Sequence, residues 1–149
     1  AYGLLFAANA VGIFAANYVN SRLVKAKGPA VMAGVGSGLG FVGALLLWVA
    51  AGVNDALPAV IGGLFVVVSM TGLLGANCVG LLMARYPQNA GAAAALFGAS
   101  QFGLGMLASA TISYFHGPNG RAMAWVILVV SGISLLGWFV FRVCGERRQ

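Results

Sequence analysis

Long apolar runs, broken by short polar or Gly/Pro-containing stretches, set the pattern of this chain. Five such runs read as helices, over about 1–20, 30–53, 57–84, 91–115 and 122–143. A helix of about 20 apolar residues spans a hydrocarbon core roughly 30 Å thick, so each run is long enough to cross a bilayer. Residues 28–54, 56–84 and 122–141 hold no Asp, Glu, Lys or Arg. A transmembrane barrel would need alternating polarity in strands of about ten residues, and that alternation is absent. The breaks are a basic stretch at 21–29 that ends in Gly28-Pro29, the turn Asn54-Asp55-Ala56, the link Arg85-Tyr86-Pro87-Gln88-Asn89, and the turn His116-Gly117-Pro118-Asn119-Gly120. Gly and Pro stop and restart helices, and Pro58 suits the first turn of the third helix.

Composition sharpens this to a polytopic all-α membrane protein. The chain is 61% hydrophobic and 7% charged, with a mean hydropathy of +0.98; a soluble domain carries about 25% charged residues. The net charge of +6 would suggest nucleic acid in a soluble protein. Here the cations sit at helix ends, so they report topology and no nucleic-acid partner is expected. With helices crossing in alternation, Arg22, Lys25, Lys27, Arg85, Arg142, Arg147 and Arg148 fall on one side, and Arg121, Asp55 and His116 on the other. The basic side is expected to be cytoplasmic, with the start of the chain outside and its end inside. Cys78 and Cys144 are expected at different depths, with no disulfide, metal site or redox motif between them. One His, two separated Cys and two peripheral carboxylates do not supply a catalytic set, so neither enzyme activity nor a cofactor is expected.

Candidate chemistry lies in a few polar groups inside the apolar runs. Asn9 falls near the middle of the first helix, Asn77 about two-thirds along the third, and Gln101 inside the fourth, flanked by Phe97 and Phe102. A buried amide in a membrane needs a hydrogen-bond partner. Asn77 therefore reads either as an interhelical hydrogen bond or as a ligand contact. Gly98, Gln101, Gly105 and Ala108 share one helix face, which fits a pocket wall or a packing seam. In the second helix Gly34 and Gly38, and Gly36 and Gly40, are spaced for close helix approach. Gly36, Gly40, Gly98 and Gly105 are taken as the packing positions. His116, at a helix end, reads as a solvated residue. The fifth helix, almost uniformly apolar, reads as a lipid-facing support.

Several of these segments carry a family resemblance. Gly75-Ala76-Asn77, then Tyr86-Pro87-Gln88-Asn89-Ala90-Gly91, then Gly98-Ala99-Ser100-Gln101-Phe102-Gly103-Leu104-Gly105 resemble the end of the major facilitator superfamily, in its bicyclomycin/chloramphenicol-resistance (Bcr/CflA) branch of multidrug efflux proteins. Asn20-Ser21-Arg22-Leu23-Val24, followed by Lys27-Gly28-Pro29, is similar to the basic loop between that family's eighth and ninth helices. The resemblance implies that residues 1–149 are helices eight to twelve, most of the C-terminal six-helix bundle of a twelve-helix transporter, lacking one helix of that bundle and the N-terminal half.

It also implies alternating access around a central cavity and export of amphipathic drugs in exchange for protons, from a bacterial inner membrane. The first, third and fourth helices would line the cavity through Asn9, Asn77, Phe97, Gln101 and Phe102, with the second and fifth outside. Arg22, Lys25, Lys27, Gly28 and Arg85 would form a cytoplasmic topology or gating loop. Asp55 and Glu146 read as loop and tail, so the proton-coupling group is expected in the N-terminal half. The implied partners are lipid, a drug-like substrate, protons and that half. The alternatives are an exporter of a specific metabolite from the same superfamily, such as an amino acid or sugar, and a small self-assembling membrane protein or channel.

Overall fold

The computed structural model describes residues 2–52, 57–114 and 120–146. The expectations for Asp55, His116, Arg147, Arg148 and the boundaries at Ala1, Val53 and Phe115 lie outside the described residues. Five α-helices follow one another: α1 (Tyr2–Lys27), α2 (Pro29–Gly52), α3 (Leu57–Arg85), α4 (Ala90–Tyr114) and α5 (Arg121–Glu146). A single 3-10 turn, Pro87–Asn89, separates α3 from α4, and no strand occurs among the described residues. The fold is all-α. By length and composition, four of its helical segments can cross a membrane: α2, α3, α4 with the turn before it, and α5. The 26-residue α1 is not one of these four; it carries Asn9, Asn17 and Asn20, and its last six residues include three cations.

The basic stretch after residue 20 is helical where a loop was expected. α1 runs on through Arg22 and Lys25 to Lys27, and the chain breaks only at Gly28. Arg, Leu, Lys and Ala are all good helix formers, and long cationic side chains reach back toward water from a helix that outruns the apolar layer. Gly28 takes a φ of +81°, which L side chains rarely adopt. Its N–H donates to the Val24 carbonyl at 2.9 Å, and its own carbonyl accepts from Met32 at 3.2 Å. Pro29 then opens α2, where its missing N–H leaves nothing unsatisfied.

α2 and α3 form the central antiparallel pair. Small residues on both helices let them approach: on α3, a Cβ on Gly63 would lie 3.0 Å from the Leu47 Cα and 3.1 Å from its nitrogen. α1 runs parallel to α3, with Gly12 against Phe65 and Ser69, and Gly72 against Ile13 and Asn17. α5 runs antiparallel to α2 and is held at both ends. At one end the Trp138 indole lies on Gly34 and donates to the Ala30 carbonyl at 2.8 Å. At the other, Arg121 donates to the Gly52 carbonyl at 3.2 Å, and the Trp48 and Trp125 rings meet edge-on at 5.3 Å. Two buried clusters mark these contacts: Ala16, Met32 and Leu73 between α1, α2 and α3, and Leu47, Ala51 and Ala124 between α2, α3 and α5. α4 closes the bundle across α3 and α5 and buries no residue fully.

These directions sort the charges. The C-terminal ends of α1, α3 and α5 share one end of the bundle, which carries Arg22, Lys25, Lys27, Arg85 and Arg142; Arg121 stands at the other. The outer surface is apolar between the ends, with Phe6, Phe14, Leu136 and Val140 all exposed. A continuous apolar surface of this kind belongs to a lipid-facing protein.

Candidate functional site

Because α4 packs loosely, a partly open cleft of about 990 Å³ lies between α3, α4 and α5. Small-molecule sites span roughly 300–1,000 Å³. One helical face of each element supplies the walls: Thr71, Leu74, Gly75 and Cys78 from α3; Phe97, Gln101, Leu104, Gly105, Ala108 and Thr111, with Ser100 and Leu107, from α4; and Ala122, Trp125, Val126, Val129, Val130 and Ile133 from α5. The spacing on each helix follows the three-and-four repeat that brings residues to one side. Among the described residues, no carboxylate, Lys, Arg or His lines the cleft.

The polar groups in the walls differ in what they leave free. Thr71, Ser100 and Thr111 each donate a hydroxyl hydrogen to a carbonyl of their own helix, at Val68 (2.7 Å), Leu96 (2.8 Å) and Leu107 (2.8 Å). Their oxygens face the cleft as acceptors alone. Gln101 makes no hydrogen bond among the described residues, so its amide offers both a donor and an acceptor.

The five residues expected to share a cavity are dispersed. Phe97 and Gln101 line the cleft. Phe102, one residue and about 100° further round α4, points outward with 82% of its surface exposed. Asn77 turns toward α1 instead: its Nδ2 donates to the Asn20 Oδ1 at 2.9 Å and to the Leu73 carbonyl at 2.7 Å, and both amides are buried. Of the two readings held for Asn77, the interhelical bond is the one in place. Asn9 sits half-buried on α1, which packs on α2 and α3 and contributes nothing to the cleft.

The helix assignment shifts accordingly, since α5, expected outside, forms a whole wall, while α1 lies on the far side of α3. Nothing in the sequence marks Thr71, Cys78, Thr111 and Trp125 as cavity residues. The repeat Thr71, Leu74/Gly75, Cys78 was available as a face, but nothing in it distinguishes a cleft from a seam.

Of the four packing glycines, two pack. Gly36 faces Leu73, where a Cβ would come within 2.7 Å of its Cδ2, and Gly40 faces Met70 at an ordinary 3.7 Å. Gly98 and Gly105 have nothing within 4 Å of where a Cβ would sit, and Gly105 lines the cleft. They lie on α4, the helix with the fewest close neighbours. The tightest approaches fall instead on Gly12, against Ser69, and Gly34, against Trp138, and the closest approach to a neighbour's backbone on Gly63, against Leu47.

The expected loop cations Arg22, Lys25 and Lys27 are exposed on the last turns of α1, and Arg85 is the exposed last residue of α3. Arg22 lies over the Tyr18 ring at 5.4 Å and donates to its hydroxyl at 3.0 Å; Arg142 lies over Trp138 at 5.4 Å. Such pairs hold a cation at a headgroup-depth aromatic. The two thiols are free, Cys78 in the cleft wall and Cys144 exposed near the end of α5. Among the described residues, no three His, Cys, Asp or Glu side chains come together as metal ligands. Comparison with family models, with curated proteins and with solved structures finds no match to this chain.

Proposed function

We propose that this chain forms one helical bundle of a multi-pass membrane transporter of the major facilitator type, and that the cleft between α3, α4 and α5 takes up amphipathic drug-like molecules for export. The observation that carries this reading is the cleft itself, an apolar chamber of about 990 Å³ with one free amide, in a bundle whose outer surface is suited to lipid. Large pockets with few, well-separated polar groups suit varied ligands. On this reading all five helices span, including α1. The end bearing Arg22, Lys25, Lys27, Arg85 and Arg142 faces the cytoplasm of a bacterial inner membrane, in keeping with the positive-inside rule.

Export is coupled to protons through a carboxylate on a second bundle, since the described residues of the cleft walls include none. The role is transport and not catalysis. Its test is drug accumulation in cells expressing the whole reading frame. Reduced accumulation, abolished by a protonophore and weakened by Gln101→Leu at equal membrane abundance, is the expected result. Accumulation unchanged by expression refutes the transport reading; export that persists with the proton gradient collapsed refutes the coupling.

A further inference from the structure

The chemistry of the cleft walls narrows the class of ligand, and this step rests on the cleft being the substrate site. We infer that the ligand is an uncharged, ring-bearing molecule with one carbonyl or hydroxyl group that pairs with Gln101, and that the cleft selects against fixed charge of either sign. Three observations converge on this. First, no charged side chain among the described residues lines the cleft. An ion entering it is stripped of water without a counter-charge in return, and that desolvation is the dominant cost. The Phe97 and Trp125 rings attract a cation, but a cation–π contact returns less than the lost hydration takes.

Second, the hydroxyls of Thr71, Ser100 and Thr111 are already committed as donors to their own helices, which leaves the Gln101 amide, among the described wall residues, as the side chain that offers a strong donor and an acceptor together, beside the donor-only indole N–H of Trp125 and the weak Cys78 thiol. Third, Phe97 and Trp125 stand on opposite walls, from α4 and α5, where flat rings find offset or edge-on partners.

Cys78 provides a reporter inside the cleft. With Cys144, which lies outside it, changed to Ser, the 149-residue chain in lipid nanodiscs has a single thiol. Its modification by N-ethylmaleimide is timed with prodan, an uncharged naphthyl ketone, and with ethidium, a permanent cation with aromatic rings. Prodan is expected to slow modification in proportion to its occupancy, and ethidium to leave it unchanged. Gln101→Leu keeps the size of the side chain but removes the amide, and should weaken prodan about three- to tenfold, the effect of one neutral hydrogen bond. Gln101→Glu should make ethidium protective and prodan less so.

Equal protection by ethidium in the otherwise native chain overturns the selection against charge, while leaving the cleft as a substrate site. Prodan protection indifferent to Gln101→Leu overturns the amide contact. Protection by neither probe at saturation overturns the ligand class and the substrate-site reading together.

Discussion

Replacing Asn77 with Ala removes the only side-chain hydrogen bond that ties α1 to α3, at 2.9 Å to Asn20, among those the described residues make. Its second bond, to the Leu73 carbonyl, runs within α3 to a backbone group that the helix already uses, so its loss costs little. The interhelical bond is worth roughly 0.6 kcal/mol, and at most about 1.7, by the range for such bonds in membranes. Asn20 is then left with 7% of its surface exposed and no amide opposite; an unsatisfied buried polar group costs about 1–3 kcal/mol. The sum is about 2 kcal/mol for Asn77→Ala.

Asn20→Ala should cost a similar amount by stranding Asn77. Asn20→Ala with Asn77→Ala should cost clearly less than the two together, because the double variant strands neither amide. Reversible unfolding in mixed micelles with rising dodecyl sulfate reads these values, and prodan protection of Cys78 reads the cleft in the same samples. A stability change below about 0.3 kcal/mol in Asn77→Ala, below even the typical interhelical bond, combined with lost prodan protection would refute the assignment of Asn77 to packing.

Gly63→Ala places a methyl group against the Leu47 backbone, which cannot move aside as a side chain can, so α2 and α3 must part; a loss of about 1–3 kcal/mol is expected in the same titration. Gly98→Ala meets nothing within 4 Å and should be neutral or slightly stabilising, by up to about 1 kcal/mol. Trp138→Phe keeps a ring over Gly34 but loses the bond to Ala30, at a cost of about 1 kcal/mol, read as a fall in melting temperature in detergent. Neutralising Arg22, Lys25 and Lys27 together should scramble orientation, read as Cys144 becoming labelled from both faces of the membrane by an impermeant maleimide, with ligand preference unchanged in correctly inserted chains.

How far the molecule could be read in advance differs from feature to feature, for physical reasons. The helices are legible because apolar runs free of charge have no other stable form in lipid, and the Gly-Pro junction at residues 28 and 29 carries its own backbone requirement. The reach of α1 to Lys27 is harder to see, since a cationic segment at a helix end looks the same whether it is the last turn or the loop. Asn77 has its partner 57 residues away, and periodicity fixes the face an amide occupies but not the neighbour it meets. The α5 wall is hidden for a different reason: lipid and an apolar cleft select the same side chains, so Val126, Val129 and Ile133 carry no mark of the cleft they line. Gln101 is legible as chemistry because an amide in an apolar helix needs a partner. Phe102 beside it shows that adjacency in sequence says little about which side of a helix a ring faces.

The most direct test of the central claim, that the cleft between α3, α4 and α5 holds the ligand, is photolabelling of the lipid-embedded chain with an uncharged aryl ketone bearing a diazirine, mapped by peptide sequencing. Label competed by prodan on the cleft faces of all three helices, around Cys78, Gln101 and Val129, is the expected result. Label confined to outward positions such as Phe6, Phe14 and Phe102, and not competed, would mean that the probe reads only the lipid boundary and that the cleft is not a binding site.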